Sequence, residues 1–353
     1  MFTIFLSKAQ KAHIQVYEKL VSSTYVKQIR ALLRANKVGV VYQTTKLGFV
    51  SDQKYPQLHK ISEHVSDQEI DEINSATKQA VYSQLYKEFA PQAPNYIARI
   101  IAPEITHLDG LKELLTLQLF SEQAHILIIG DHGADHVQIV RQSTQLHPQG
   151  LFCPVKALYK EKQQLKALLT NADEGVVTII DYELLDAQDR KTIEQTITRQ
   201  YIQKGPHRHD VRAQLLGVSS PVGKQFVGSM LSTLKNQLPK HREFFSLQVC
   251  IRLKTKHPNS FEPKTVSIEQ KEFIRDYILY AQSTIVDFPA PLQETVVKWV
   301  SQYDDSQKII EKHPLLAKTI ILLAKGRART ELRKVVTKKD VEQVCALLET
   351  IFE

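Results

Sequence analysis

The residues best placed to do chemistry lie between 125 and 141: His125-Ile-Leu-Ile-Ile-Gly130-Asp131-His132-Gly133-Ala-Asp135-His136-Val137-Gln-Ile-Val-Arg141. A glycine-bearing loop between a buried strand and a helix turns backbone N–H groups and a helix N-terminus towards an anion, which is the layout of a phosphate grip. Ile126–Ile129 supplies the apolar strand, and Val137, Ile139 and Val140 fall at helical spacing after the loop. Hydrolysis of a nucleoside triphosphate in such a loop needs a lysine on the β/γ-phosphates and then a Ser or Thr hydroxyl on Mg²⁺. Those two places hold His136 and Val137. An imidazole is shorter than a lysine and mostly neutral at pH 7, and a valine has no oxygen to offer a cation. The frame of a phosphate site is present without its chemistry.

Other reactive arrangements are weaker. His132 and His136 stand four apart, as in helical zinc motifs, but the pair starts in a loop, where no common face is assured. His207 and His209 give less still, and no metal or other cofactor is expected. No Ser/His/Asp or Cys/His order marks a nucleophile. Three widely spaced cysteines, Cys153, Cys250 and Cys345, exclude a disulfide framework and a cysteine zinc site.

The elements that must position the loop come from a chain of 353 residues, enough for two or three domains with a sizeable core. No apolar run reaches membrane-spanning length, and Phe2–Leu6 is too short for a signal peptide, so a soluble intracellular protein with no membrane partner is expected. The net charge of +8 sits almost wholly in residues 1–60, where ten Lys/Arg face Glu18 and Asp52. That imbalance fits nucleic acid or an acidic partner, or else a solvated lysine-rich surface. Apolar spacing predicts helices from Ser7 towards Leu20 and from Thr24 through Ala35, then a hairpin over Val38–Tyr42 and Leu47–Val50. Two helices and a hairpin could lay Lys27, Arg30 and Arg34 on DNA, or form a small structural subdomain. A helix over about 67–89 and a linker at Ala90–Pro94 complete this region.

Residues 97–120 contain Ile101-Ala-Pro-Glu-Ile105 and end in Leu117-Gln-Leu-Phe120. This stretch resembles the I-A-P-x-I and L-Q-L-F that precede the phosphate loop of minichromosome maintenance (MCM) helicases, and the spacing between the two is kept without a gap. Gly130-Asp131 resembles the opening of the family's G-D-P-G/S-x-A/G-K-S loop. Residues 171–190, ending Gln188-Asp189-Arg190, resemble its A-D-x-G-V segment with the metal-holding strand. Leu216–Gly223 resembles the strand end with the sensor asparagine, and residues 316–342 the lid helices. The likeness covers about residues 95–353.

In this register the resemblance assigns His136 and Val137 to the lysine and hydroxyl. The metal aspartate falls on Ile180, the water-activating glutamate on Asp181, the sensor asparagine on Ser220 and the second sensor arginine on Leu315; a shift by one residue would restore an Asp–aromatic–acid order from Asp181 but would break the match to Asp189-Arg190. The arginine finger falls on Phe244, or on Arg242 if the alignment slips by two. The residues between Gly150 and Gly175 are too few for the family's insert, and Pro154 onward reads as one helix. The hairpin tip with Lys204 and Arg208 is short, and reads as an exposed turn more than a phosphate contact. The basic run Lys325–Lys339 reads as a solvated helix end more than as an interaction face for DNA or a neighbouring subunit.

The expected fold is α/β: a parallel sheet of the AAA+ P-loop type with flanking helices over 95–255, a helical lid over 256–353, and a small basic α/β domain over 1–90. Loss of so many oriented groups implies a non-hydrolysing MCM-like protein, structural or regulatory in DNA replication or maintenance. Two alternatives are a DNA-binding module working through the basic region and a ring subunit that binds nucleotide without cleaving it. The resemblance implies DNA, an active MCM-type ring or other replication proteins, and copies of the chain itself as partners. A cytoplasmic site is expected, nucleoid-associated, or nuclear in a eukaryote.

Overall fold

The structure is a computed structural model that describes residues 38–42, 47–51, 83, 85–160, 165–204, 207–252, 266–303 and 312–352. The helices expected over 7–20 and 24–35, with Lys27, Arg30 and Arg34, lie outside the described residues, as does most of the helix expected over 67–89. The chain divides into two compact units, residues 1–92 with 267–273 and residues 93–266 with 274–353.

In the first unit β1 (Val38–Tyr42) and β2 (Leu47–Ser51) form the expected antiparallel hairpin, with Val38 opposite Ser51 and Tyr42 opposite Leu47. Phe273 receives the Phe89 ring edge-on at 5.2 Å and the Tyr86 ring at 5.7 Å, geometries that aromatic pairs prefer. The linker expected at 90–94 is helical instead. Ala90–Gln92 is a 3₁₀ turn, and α1 (Ala93–Ile100) follows it directly. Pro94 sits in the first turn of α1, where a missing N–H costs no intrahelical bond.

The second unit continues with α2 (Asp109–Leu119), β3 (Ile126–Gly130), α3 (His136–Leu146), β4 (Gly150–Pro154), α4 (Val155–Lys160), α5 (Leu165–Asn171) and β5 (Val176–Ile180). Then come α6 (Ala187–Arg199), the hairpin β6 (Tyr201–Lys204) and β7 (His207–Asp210), β8 (Gln214–Ser219), α7 (Leu231–Lys235) and β9 (Leu247–Ile251). The last helices are α8 (Ile268–Gln282), of which residues 268–273 belong to the first unit, α9 (Ala290–Gln302), α10 (Leu316–Thr330) and α11 (Lys338–Phe352). Five strands pair in the order β4-β5-β8-β3-β9, every pair parallel. Strands β3, β5 and β8 are buried along their whole length, as strands covered on both faces must be. This is the expected sheet with flanking helices, of the P-loop type. No described helix is long and apolar enough to cross a membrane.

Strand β4 is an addition. Its Leu151-Phe152-Cys153 core is short and ends at Pro154, a residue tolerated at a sheet edge because it need not donate there. Beyond it α4 and α5 are described, and residues 161–164 between them are not.

The lid helices meet α2 through residues that the sequence reading left in solvent. Within the basic run Lys325–Lys339, Arg327 and Arg329 are buried. Arg327 pairs with Glu113 and Glu331, each at 3.5 Å. Arg333 grips both Asp340 oxygens, at 2.7 Å and 2.5 Å. Only the outer part of the run, Lys334, Lys338 and Lys339, is a solvated helix end. The error has a physical source: a buried cation needs acceptors from elsewhere in the chain, and these come partly from α2, some 200 residues earlier in sequence. The start of α11 carries half of a capping box: the Asp340 carboxylate accepts from the Thr337 N–H at 2.7 Å and from its hydroxyl at 2.8 Å.

Candidate functional site

All five strands are parallel, so their C-terminal ends share one rim, where ligands bind in open α/β sheets. The register sets Ile129 beside Ser219 and Ile180 beside Val218. The rim therefore gathers Gly130, Asp131 and Gly133 with Ile180, Asp181, Ser219 and Ser220. It does not gather Phe244 or Leu315. Phe244 stacks on His125 at 6.1 Å, beside the opposite end of β3. Leu315 lies at that end too: its N–H is bonded to His313, which also bonds the Glu243 carbonyl at 3.0 Å. Leu315 is 52% exposed and leads into α10. Arg242 turns its carbonyl to the Gln248 amide at 3.0 Å.

The loop after β3 is bonded to itself and to its neighbours. The Asp131 carboxylate is buried and accepts from the Phe226 N–H at 2.6 Å. The Asp131 N–H donates to Ile251 O at 3.0 Å, the His132 N–H to Lys224 O at 2.9 Å, and the Ala134 N–H back to Asp131 O at 3.0 Å. Three amides of a would-be phosphate cradle are thus spent on carbonyls.

His136 opens α3 and turns inward. Its ring lies against Gly130, so that any Cβ there would fall closer than 3 Å to the imidazole. This close approach is what requires glycine at 130. The ring is buried, its Nδ1 has no hydrogen-bond partner, and burial pushes its pKa down to about 4 although Asp131 and Asp135 pull the other way. In the register of the resemblance, the lysine's place is held by this neutral ring folded under the loop. Val137 is exposed, so the buried face of α3 runs through His136, Ile139, Val140 and Ser143 rather than through Val137. His132 is exposed while His136 is buried, and the two imidazoles do not share a face. Asp135 pairs with His107 at 3.3 Å.

Ile180 ends β5 and is buried, so its hydrocarbon side chain offers no oxygen to a metal-bound water. Asp181 follows with φ 61° and opens the 3₁₀ turn Tyr182–Leu184, a left-handed conformation that Asp tolerates better than most residues. At the next strand it is Ser219, not Ser220, whose hydroxyl turns inward, 3.1 Å from His241 Nε2. His241 also lies over the Tyr182 ring at 5.3 Å. Burial, with Arg190 nearby, lowers the His241 pKa to about 4. His241 and Phe226 escaped the sequence reading, because neither motif spacing nor periodicity points a residue from a later loop at a strand end.

Tested against a triphosphate with Mg²⁺, these residues do not fit. In the register of the resemblance an imidazole covers the cradle glycine and hydrocarbon stands at the place of the metal aspartate, while the engaged hydroxyl is that of Ser219, beside the expected Ser220. Of the hairpin, residues 207–210 are exposed, while residues 205–206 at the tip lie outside the described residues. Arg208 lies over the Tyr201 ring at 4.3 Å and pairs with Asp210 at 3.2 Å; the Lys204 side chain lies outside the described residues.

No family model matches the chain. It is 21% identical over 326 aligned residues to DNA replication licensing factor Mcm2 of Drosophila melanogaster, an alignment covering 74% of this chain and 37% of that protein. It is 21% identical over 349 residues to DNA replication licensing factor mcm4 of Schizosaccharomyces pombe, covering 81% and 37%. The corresponding figures for DNA replication licensing factor MCM4 of Arabidopsis thaliana are 22% over 327 residues, covering 76% and 38%. The chain spans under two fifths of the length of these curated relatives. The landmarks keep their order along the sequence, the parallel sheet carries Gly130, Ile180 and Ser220 to one rim, and the chain is an MCM-like relative built on an AAA+-type fold.

Proposed function

We propose that this protein is a non-hydrolysing MCM-like component with a structural or regulatory role in DNA replication or maintenance. The relatives' names carry the replication assignment, and one observation carries the non-hydrolysing part: the His136 ring lies neutral against Gly130 where a lysine would reach for phosphate. Phosphoryl transfer depends on positioned charge around the γ-phosphate, and removing one oriented group typically costs ~10²-fold or more in rate. Several are replaced here, at His136, Val137, Ile180 and Ser220. The loop amides spent on Ile251 and Lys224 carbonyls also weigh against tight nucleotide binding without cleavage. The purified full chain with ATP and Mg²⁺ is expected to release no phosphate above the no-protein blank. Mg²⁺-stimulated turnover that a His136→Ala change abolishes would overturn the reading.

A second reading is favoured by a separate observation, the ten-to-two excess of cations in residues 1–60. The basic region then holds DNA while the α/β unit serves as a platform. Binding of a duplex oligonucleotide should weaken steeply as salt rises, and deletion of residues 1–60 should remove most of the affinity. Unchanged affinity after that deletion counts against it.

A further inference from the structure

Residues 221–230 follow β8 and cover the self-bonded loop at the rim. Their backbone is closely tied. The Val222 N–H donates to Gln237 O at 2.7 Å. The Gln237 side-chain amide closes a two-way clasp on Val227, accepting from its N–H at 2.7 Å and donating to its carbonyl at 2.8 Å. Arg252 donates to Gly228 O at 2.9 Å, and the Phe226 N–H is anchored on Asp131. Phe226 points in and is buried. Its neighbours point out: Val222 is 62% exposed, and Val227 and Met230 are each 68% exposed.

An ordered loop that holds three large apolar side chains in water is not explained by folding. Single exposed apolar residues are common, but a cluster on a fixed backbone marks a contact surface. Pre-ordering lowers the entropy cost of docking. Apart from the buried Asp131 carboxylate that anchors Phe226, the charge along this segment is one-sided. Over residues 221–252 five cations, Lys224, Lys235, Lys240, Arg242 and Arg252, stand against one acid, Glu243. Lys224 lies within the loop and Arg252 is bonded to it, and both are exposed.

We propose that this loop is a docking surface for an acidic amphipathic segment of a protein partner. Apolar side chains of that segment cover Val222, Val227 and Met230, while its carboxylates face Lys224 and Arg252. Charge selects this occupant. A second copy meeting through the same patch would set Lys224 and Arg252 against their own counterparts. Nucleic acid would match the cations but leave the three apolar side chains without a role. The inference deepens the non-catalytic reading by naming the chemistry of a partner, and it needs no nucleotide.

The test uses the full chain and a fluorescein-labelled peptide of about 18 residues, with Leu at helical spacing and Glu elsewhere. Its control carries Lys in place of every Glu. Anisotropy without nucleotide is expected to show binding of the acidic peptide only. Binding should fall at least ~10-fold with Val227→Asp/Met230→Asp and at least ~3-fold with Lys224→Glu. All three side chains are exposed, so melting temperatures should stay at the parent value; if one moves, Val227→Ser/Met230→Ser takes its place. The proposal fails if the Lys control binds as tightly or if the double variant binds unchanged. It also fails if sedimentation shows self-association that the double variant abolishes, or if a single-stranded oligonucleotide displaces the peptide. ATP turnover, measured separately, would sink the non-hydrolysing reading and leave the peptide result standing.

Discussion

Moving this protein from pH 7.5 to pH 5 is expected to destabilise its α/β unit by about 4 kcal/mol through two histidines alone. His136 and His147 are buried, and burial pushes both pKa values down to about 4. His147 accepts from the Gln149 N–H at 3.1 Å, and its other ring nitrogen lies 2.8 Å from the Gln282 amide. Each imidazole is therefore neutral when folded and free to take a proton when unfolded, at an ordinary pKa near 6.5. Between those two values the unfolded chain binds more protons, so stability rises with pH. It is complete above about 6.5, falls as pH drops, and bottoms out once pH is below about 4. At pH 5 each site costs about 2 kcal/mol, a serious fraction of a typical 5–15 kcal/mol. His125 and His241, also lowered to about 4 by burial, push the same way. Urea unfolding at pH 7.5, 6.5, 5.8 and about 5 measures the slope. His136→Gln, whatever its effect at pH 7.5, should flatten the slope by roughly one proton. A parent curve that is flat from 7.5 to 5 would show that these rings are solvated.

Much of this architecture was legible because it rests on local signals. The run Ile126–Ile129 reads as a buried strand from its apolar residues and Val176–Ile180 comes through the resemblance of residues 171–190; the two flank the central strand β8 of the parallel sheet. The Thr337–Asp340 cap depends on two residues three apart. What escaped is non-local. Strand β4 takes its identity from pairing with β5, in which Leu151 meets Val177 and Cys153 meets Ile179. The helical turns at 90–94 depend on Pro94 meeting a first turn, which its sequence context alone did not distinguish from a linker.

The site divides in the same way. Strand, loop and helix were visible, and so was the absence of lysine and hydroxyl. The direction of the His136 ring was not, since a histidine at a helix start can face solvent or core and only Gly130 beside it provides the space. Likewise a Ser-Ser doublet does not say which hydroxyl turns inward. The arrival of His241 at 3.1 Å goes with Ser219.

The largest single-residue loss is expected at Arg329, which ties the lid helix α10 to the end of α2. Its guanidinium donates to Phe120 O at 2.6 Å and to Thr284 O at 3.0 Å, and it pairs with the Glu122 carboxylate. Gly326, one turn earlier, makes this reach available: an added Cβ there would lie 2.6 Å from the Leu117 carbonyl and against the Ser121 hydroxyl. The helices therefore meet almost backbone to backbone, and Arg329 spans what remains. Arg329→Met keeps much of the stem but strands two carbonyls, at an expected cost of about 3–5 kcal/mol for breaking a buried charged network. Arg329→Lys keeps the charge yet cannot fork to two carbonyls at once, and should fall in between. Glu122→Ala should cost under about 1 kcal/mol, because that carboxylate is mostly exposed. Chemical denaturation gives the three values, and hydrogen exchange at residues 120–122 and 284–286 locates the loosening. If Arg329→Met and Glu122→Ala cost the same, the surface ion pair rather than the two carbonyl bonds holds the lid, and the assignment made from this geometry is wrong.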